Sequence, residues 1–133
     1  MSAPVFSNPD TLVSPPGYTQ LVEVSGGKMV FIAGQVALDA AGVLVGPGNF
    51  ALQADQVFRN LRLAMESRGG SFKDIIKISV FITDMAYLPA FREARDRHLA
   101  DIKTPPASTL VQVAGLFRSD SMLEIEAVAW MAS

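Results

Sequence analysis

The residues able to do chemistry are few in this chain of 133 residues, and they concentrate in two stretches. The stretch TPPASTLVQV, residues 104–113, opens with two prolines and sets two hydroxyls side by side at Ser108 and Thr109. The closing stretch LEIEAVAW carries Glu124 and Glu126 two positions apart, so both carboxylates point to the same face of a strand. Such a pair suits general acid–base chemistry, but it equally suits a solvated strand face or an ion pair with a nearby arginine.

Several other classes of site lack the residues they need. There is no cysteine, which excludes disulfides, thiolate nucleophiles and thiolate metal sites. The single histidine, His98, lies in the charged run REARDRH, where a solvated surface imidazole is expected, and no second histidine stands at metal-ligand spacing. The sequence also contains no phosphate-binding glycine loop and no nucleophile elbow. We therefore expect no metal and no cofactor.

Charge and hydropathy limit the partners and the compartment. The net charge is −2 and the isoelectric point is near 5.3, and no local basic patch is visible, so nucleic-acid binding is not expected. The first residues, MSAPVFSNPDTLV, have neither a basic start nor an apolar run, and no stretch of the chain is apolar enough to cross a membrane. These features, with the lack of cysteine, predict a cytoplasmic protein.

The pattern of strands and helices predicts one α+β domain over residues 1–133, with an irregular lead-in over 1–16. TQLVEVSGGKMVFIAG reads as a hairpin around a Ser-Gly-Gly turn, and FALQADQVFRNLRLAMESRGG has helical spacing. DIIKISVFITD reads as a strand, Asp84 as the cap of a second helix, and ASTLVQVA and MLEIEAVAWM as two closing strands. The order is β-β-α-β-α-β-β, with the helices on one face of a mixed sheet.

The other face of that sheet is expected to be too apolar to remain in water. One face of the DIIKISVFITD strand is uniformly isoleucine and valine and must meet the helices, which leaves Ser79 and Phe81 on the other. We expect Leu110 and Gln112 beside them, together with one of the two alternating sets of the last strand. A symmetric oligomer packed through this face would cover it and form clefts between subunits, where small molecules commonly bind.

Five stretches together resemble the RidA family, also called YjgF or L-PSP. They are PPGYTQ, KMVFIAGQVALD, NLRLAMESRGGSFKDIIKISVFITDM, PPASTLVQVAGL and LEIEAVAW, in this order, and the resemblance covers residues 16–130. It implies a homotrimer of chorismate-mutase-like α+β subunits with three clefts between them. It also implies hydrolysis of reactive enamines and imines to a keto acid and ammonia, without metal or cofactor.

Three residues match the site that the resemblance implies. Tyr18 stands at the tyrosine of the family's PYSQ motif, and Gly34 stands at the glycine of its SGQ motif. Glu124 stands at the first glutamate of EIEA, which in the family is often assigned to holding or activating water. These matches predict Glu124 as the catalytic residue, with Tyr18 and Gly34 binding the substrate.

Three further positions depart from the family pattern. Ser108 replaces the arginine that clamps a substrate carboxylate in the deaminases, and Leu110 stands where cysteine or threonine is frequent. A lost charged hydrogen bond is worth about 1.5 to 3 kcal/mol, which predicts roughly ten- to hundredfold weaker use of imino acids. Arg92 replaces an asparagine on the second helix, so it either supplies the lost cation or pairs on the surface with Asp96.

Two classes of function follow, and a third is weaker. The first is a hydrolytic enamine or imine deaminase with altered specificity, in which the cleft around Ser108 is more neutral and apolar and Ser108→Arg would raise imino-acid hydrolysis. The second is a non-catalytic trimer that binds a metabolite or a protein partner in the same cleft. A ribonuclease or translation inhibitor comes third, because the chain is acidic and lacks a basic aromatic patch.

Overall fold

A computed structural model describes residues 3–132, which form a four-stranded mixed sheet covered on one face by two helices. The sheet order is β3-β6-β4-β5, in which β4 and β5 are parallel and the other pairs are antiparallel. This arrangement confirms the predicted α+β architecture with helices on one face. The elements are β1 (Val5–Ser7), β2 (Leu21–Glu23), β3 (Lys28–Gln35), α1 (Phe50–Glu66), β4 (Ile75–Ile82), α2 (Leu88–His98), β5 (Ala107–Gln112) and β6 (Leu123–Met131).

The predicted hairpin between β2 and β3 is wrong. β2 instead pairs with β1, so the lead-in is not irregular throughout, and β3 pairs along its length with β6. Gly26 and Gly27 both have positive φ, and this turn separates the two strands rather than folding one onto the other. The indole N–H of Trp130 in β6 donates to the Gly26 carbonyl at 2.8 Å, which holds the turn against the long sheet.

The first helix supplies most of the core. Its cap, Asn49, accepts a hydrogen bond from the Leu52 backbone N–H at 3.1 Å. Apolar side chains recur along the inner face of α1 at helical spacing, and this face packs on β3 and β6. The most buried apolar residues of this face are Ala54, Val57, Phe58, Leu61 and Met65. Within residues 3–132, no helix has the length and hydropathy needed to span a membrane.

Two amides on α1 fix the loops that flank the sheet. Gln53 is fully buried, and its side chain donates to the carbonyls of Gly46 and Asp120 and accepts from the Met122 N–H. Asn60 donates to two carbonyls of the segment after β3. These hydrogen bonds offset the cost of removing the two amides from water, and they hold the start of β6 and the segment after β3 in place.

The second helix begins as predicted from its cap and its proline. Asp84 accepts from the Ala86 N–H at 2.8 Å and starts a short 3-10 turn, after which Pro89 lies in the first turn of α2, where no backbone donor is lost. Phe91 and Ala94 are the buried residues of α2. The opposite side of the helix is charged and faces water.

The two faces of the sheet differ as the alternation in β4 predicts. Ile78, Val80 and Ile82 are buried beneath the helices, while Ser79 and Phe81 lie on the other face, which we call the open face. On β6 the glutamate set, not the leucine set, occupies the open face, because Glu124 lies opposite Phe81 and Glu126 opposite Ser79. The alternating positions of β6 face the helices, and among them Leu123 and Ile125 are fully buried.

The strand β5 has its faces reversed relative to the sequence prediction. Leu110 lies opposite Val80 and Gln112 opposite Ile82, so both side chains are on the helix side rather than the open face. The open face of β5 instead carries Thr109 and Val111. The apolar character that predicted the open face remains, because Met29, Phe31 and Val111 are 45%, 76% and 42% exposed there.

Candidate active site

The loop that carries Tyr18 is fastened to the edge strand β5. The Thr19 N–H donates to the Pro106 carbonyl at 3.1 Å, the Thr19 hydroxyl donates to the Pro105 carbonyl, and Thr19 itself is buried. A parallel bridge joins Thr19 to Ala107. These contacts place Tyr18 next to the first residues of β5. The two prolines that open TPPASTLVQV therefore serve as acceptors for the Tyr18 loop.

A pocket of about 230 Å³ opens between this loop, β5 and α2. We call it the helix-side pocket. It brings together four of the six predicted site residues, and the remaining lining is mostly apolar. The lining residues are Pro16, Tyr18, Leu88, Phe91, Arg92, Arg95, Ser108 and Leu110.

The helix-side pocket includes two arginines, although the sequence predicted a more neutral and apolar cleft. Among residues 3–132, Arg92 and Arg95 line it and no acidic residue does. Arg92 is exposed, and the expected surface pair between Arg92 and Asp96 does not form. Asp96 pairs with Arg95 instead, at 3.0 Å.

Sequence reasoning missed Arg95, although a signal was available. Leu88, Phe91, Arg92 and Arg95 recur at intervals of three or four residues, which places them along one side of α2. The glycine at position 17 was the second missed residue. A Cβ built on Gly17 would lie 2.5 Å from the Arg95 guanidinium, so only glycine leaves this space to the arginine.

The two remaining predicted residues, Gly34 and Glu124, lie together on the open face. A Cβ built at Gly34 would be 2.2 Å from the Glu124 Oε2 and 2.7 Å from its carboxyl carbon, so the carboxylate rests directly on the glycine backbone. Gly34 lies in an irregular part of β3, where the three steps from Ile32 to Gln35 match only two steps along β6. Across residues 3–132, the Glu124 carboxylate has no hydrogen-bond or ion-pair partner.

The two groups of residues face opposite sides of the sheet. Ser108 lies opposite Ile78, whose side chain is buried under the helices, whereas Glu124 lies opposite Phe81 on the open face. The sheet itself therefore separates the carboxylate from the helix-side pocket within one chain. One small molecule cannot reach both groups in a single subunit.

A second groove lies between the two helices and is lined by Asp55, Arg59, Arg62, Arg97 and His98, among others. It measures about 360 Å³, and sequence analysis did not predict that Arg59, Arg62 and Arg97 lie together. Most of its charge is balanced, because Arg97 pairs with Asp55 and Arg62 with a glutamate on the same helix. Within residues 3–132, no phenylalanine, tyrosine or tryptophan lines the groove for base stacking, and the His98 ring already stacks on Phe58.

His98 is not the solvated surface residue that its charged neighbourhood predicted. Its side chain is 17% exposed, its ring stacks on Phe58 with centroids 5.2 Å apart, and its Nε2 lies 2.9 Å from the Asp55 Oδ1. Most of its charged neighbours are exposed, but α2 turns His98 toward α1. His98 therefore connects the two helices and lies far from Glu124 in the fold.

The ion pairs of Asp55 predict that the stability of the fold depends on pH. Partial burial raises the pKa of the Asp55 carboxyl, but hydrogen bonds from His98 and Arg97 outweigh it and hold the pKa below its usual value. A carboxyl with a lowered folded-state pKa stabilises the fold at higher pH and loses this contribution as the pH falls through that pKa.

We therefore expect Asp55→Asn to lower the free energy of unfolding at pH 7 by less than about 1 kcal/mol, because the side chain is 43% exposed and screened by water. The difference in the free energy of unfolding between the wild type and the variant should shrink as the pH falls below about 3.8. Urea unfolding at pH 7 and at pH 3 measures this difference. A difference that stays constant between these two pH values would contradict the assignment.

Comparison with known proteins identifies the family. The sequence matches the family described as Endoribonuclease L-PSP over residues 10–131. The chain belongs to this RidA/YjgF/L-PSP family. Among RidA-family relatives, Protein DfrA of Myxococcus xanthus is 35% identical over 112 residues, which cover 84% of this chain and 83% of that protein. The mouse 2-iminobutanoate/2-iminopropanoate deaminase is 32% identical over 112 residues, covering 84% and 79%.

A solved structure confirms the RidA-family fold. The crystal structure of the Rid-family protein YyfB from Yersinia pestis matches with a TM-score of 0.88 at 28% identity, covering 96% of this chain and 98% of that one. The predicted family membership and fold class are both confirmed by these matches.

Proposed function

We propose that the chain is a cofactor-independent hydrolase of small imines or enamines that acts in the cytoplasm as a homotrimer. The observation that carries the proposal is the Glu124 carboxylate, which is unpartnered across residues 3–132 and held on Gly34 at the open face. A RidA-family relative is named a 2-iminobutanoate/2-iminopropanoate deaminase, which supports this reaction class.

The proposed reaction needs one positioned base and one water. Glu124 takes a proton from the water as the water oxygen bonds to the imine carbon, and this proton then passes to the nitrogen, which leaves a carbon that bears a hydroxyl and an amino group. The hydroxyl proton next passes to the nitrogen by way of Glu124 as the carbon–nitrogen bond breaks, so ammonia leaves and a carbonyl remains. Every atom comes from the imine and the water, so the step requires no metal and no redox partner.

The proposed active site is shared between two subunits. Glu124 and Gly34 come from the open face of one chain, and Tyr18, Ser108 and the rest of the helix-side pocket come from a neighbour. Two observations support this: the sheet separates the two groups within a chain, and the open face is apolar and exposed at Met29 and Phe31. A cyclic trimer would form three such clefts.

The trimer gives a direct prediction. Phe31→Asp should convert the protein to monomers at micromolar concentration, because it replaces a large apolar side chain, whose burial is worth about 2 to 3 kcal/mol, with a charge on the open face. Leu63→Asp, an exposed leucine on α1, should leave the assembly unchanged. Sedimentation equilibrium measures both. A wild-type monomer at micromolar concentration would contradict the trimer and remove the shared site.

The function itself is tested by releasing an imine in the presence of the protein. 2-Iminobutanoate is generated in the assay by a dehydratase, and ammonia release is followed with and without the chain. We expect faster release than in buffer alone. If neither this imine nor an uncharged imine is hydrolysed faster, the cleft serves the alternative function, a trimer that binds a metabolite or partner without catalysis.

A further inference from the structure

The groove between α1 and α2, which we call the interhelical groove, is lined by more cations than anions. Arg59, Arg62 and Arg97 line it, while Asp55 is its one acidic lining residue among residues 3–132. The chain as a whole carries a net charge of −2, so this local excess of cations departs from the average. A concave surface with an excess of one charge attracts small ions of the opposite sign.

The spacing along α1 places two of these cations side by side. Asp55, Arg59 and Arg62 stand four and three residues apart, so successive turns of α1 present them to the interhelical groove. The Cβ atoms of residues three or four apart on a helix are about 5 to 6 Å apart. The guanidiniums of Arg59 and Arg62 can therefore approach one anion from the same side.

The arginines of the groove differ in how firmly they are paired. Arg97 forms an ion pair with Asp55, which balances that charge within the protein. Arg62 approaches Glu66 no closer than 3.8 Å, which is longer than a hydrogen bond, and both side chains are well exposed. Arg59 has no hydrogen-bond or ion-pair partner among residues 3–132. Arg59 and Arg62 thus have donors available for a ligand.

The interhelical groove changes character along its length. Leu52 lies in the first turn of α1 and Val45 lies before the helix, so this end of the groove is apolar. Arg62 lies further along α1, about 15 Å from Leu52 at a rise of about 1.5 Å per residue. The groove measures about 360 Å³, which is within the size range of small-molecule sites. A ligand with one charged end and one apolar end matches this gradient.

We propose that the interhelical groove binds a small phosphate monoester, with Arg59 and Arg62 holding the phosphate and Leu52 contacting the organic part. A phosphate monoester carries about two negative charges at pH 7 and offers three acceptor oxygens, so it can engage two guanidiniums at once. A carboxylate has one charge and two oxygens, which a single arginine satisfies. The site lies on the helices, on the other side of the sheet from Glu124, so its ligand is separate from the substrate of the hydrolase.

The experiment compares ligands of matched shape and different charge. The probe is phenyl phosphate, and the first control ligand is phenyl sulfate, which has the same tetrahedral group with a single negative charge. Inorganic phosphate, which lacks the organic part, is the second control. Dissociation constants are measured at pH 7 by nuclear magnetic resonance titration of the protein. We expect phenyl phosphate to bind about fivefold or more tighter than either control, because only phenyl phosphate uses both ends of the groove.

Arg59→Gln should weaken binding of phenyl phosphate about tenfold or more, because it removes a charged hydrogen bond to the ligand. The double variant Arg59→Gln/Arg62→Gln should weaken it further. Arg68→Gln is the matched control, because this exposed arginine follows α1 directly but lines a different pocket. It changes the net charge of the chain by the same amount as Arg59→Gln and should leave the affinity unchanged.

The carboxylate beside Arg62 predicts a change of opposite sign. Glu66 competes with the ligand for Arg62, so Glu66→Gln should tighten binding of phenyl phosphate about two- to fivefold. A variant that merely disturbed the end of α1 would not tighten binding. A loss of affinity in Glu66→Gln would contradict capture of the phosphate by the charge of Arg62.

The proposal is overturned if the wild type does not prefer phenyl phosphate to phenyl sulfate, or if Arg59→Gln and Arg68→Gln have equal effects on the affinity. A short single-stranded RNA that binds more tightly than phenyl phosphate would also overturn it, because the groove would then serve nucleic acid. Imine hydrolysis should be unchanged in Arg59→Gln. Phosphate binding without any hydrolysis would remove the hydrolase and leave this site, whereas hydrolysis without phosphate binding would do the reverse.

Discussion

Glu124→Gln is expected to reduce imine hydrolysis by a factor of about one hundred to ten thousand, because glutamine cannot take the proton from water. The substitution keeps the size of the side chain and its contact with Gly34, so the fold and the assembly should be unchanged. Steady-state ammonia release measures the loss, and the dissociation constant for 2-oxobutanoate should change little. Activity within about tenfold of wild type would exclude Glu124 as the base.

The matched control for this variant lies two residues along the same strand. Glu126 shares the open face with Glu124 but is exposed and lies opposite Ser79, away from Gly34. Glu126→Gln should therefore retain near wild-type hydrolysis. Equal losses in the two variants would indicate a general effect of negative charge on the open face rather than one positioned base.

Gly34→Ala is expected to cost about a hundredfold in turnover, because the added methyl would lie 2.2 Å from the present position of the Glu124 Oε2 and must displace it. The carboxylate remains in the chain but no longer at the same place. Hydrolysis and urea unfolding are measured together. We expect a large loss of turnover with a small change in the free energy of unfolding.

Gly115→Ala is the control for a glycine substitution as such. Gly115 has ordinary φ, and a Cβ there meets nothing within 4 Å. Its activity and stability should match those of the wild type. Full activity in Gly34→Ala would mean that Glu124 works from another position, which contradicts the role of the Gly34 contact.

The elements with a clear period were predictable from the sequence. The buried positions along α1 follow the helical spacing. β4 has isoleucine and valine on one face and other residues on the opposite face, so the sequence indicates which face of the sheet the helices cover. Gly34 and Glu124 were found through motif resemblance, and the structure brings these two into contact. No periodicity argument would have paired a glycine on β3 with a glutamate on β6.

The wrong predictions have physical causes. Two strands next to each other in sequence are usually a hairpin, and two glycines with positive φ suit a hairpin turn, but β2 pairs with β1 and β3 pairs with β6, a long-range pairing that the local sequence does not reveal. The face of β5 depends on its register with β4, which alternation within β5 does not reveal because both of its faces mix polar and apolar residues. The prediction of a more neutral cleft did not include Arg95, because this residue comes from a different element than Ser108.

Complementation between two inactive variants tests the shared site most directly. One chain carries Glu124→Gln, and the other carries Ser108→Trp, which fills the helix-side pocket. The two are co-expressed with different tags, and trimers holding both are purified. If each cleft joins the open face of one subunit to the pocket of the next, one cleft in each purified mixed trimer, or about one third of the clefts, combines two intact halves.

We expect the mixed trimers to recover about a third of wild-type imine hydrolysis, while each variant alone stays nearly inactive. This recovery would come only from clefts that take Glu124 from one subunit and the pocket around Ser108 from another. Mixed trimers that are no more active than the separate variants would show that the active site lies within one chain, and would contradict the account.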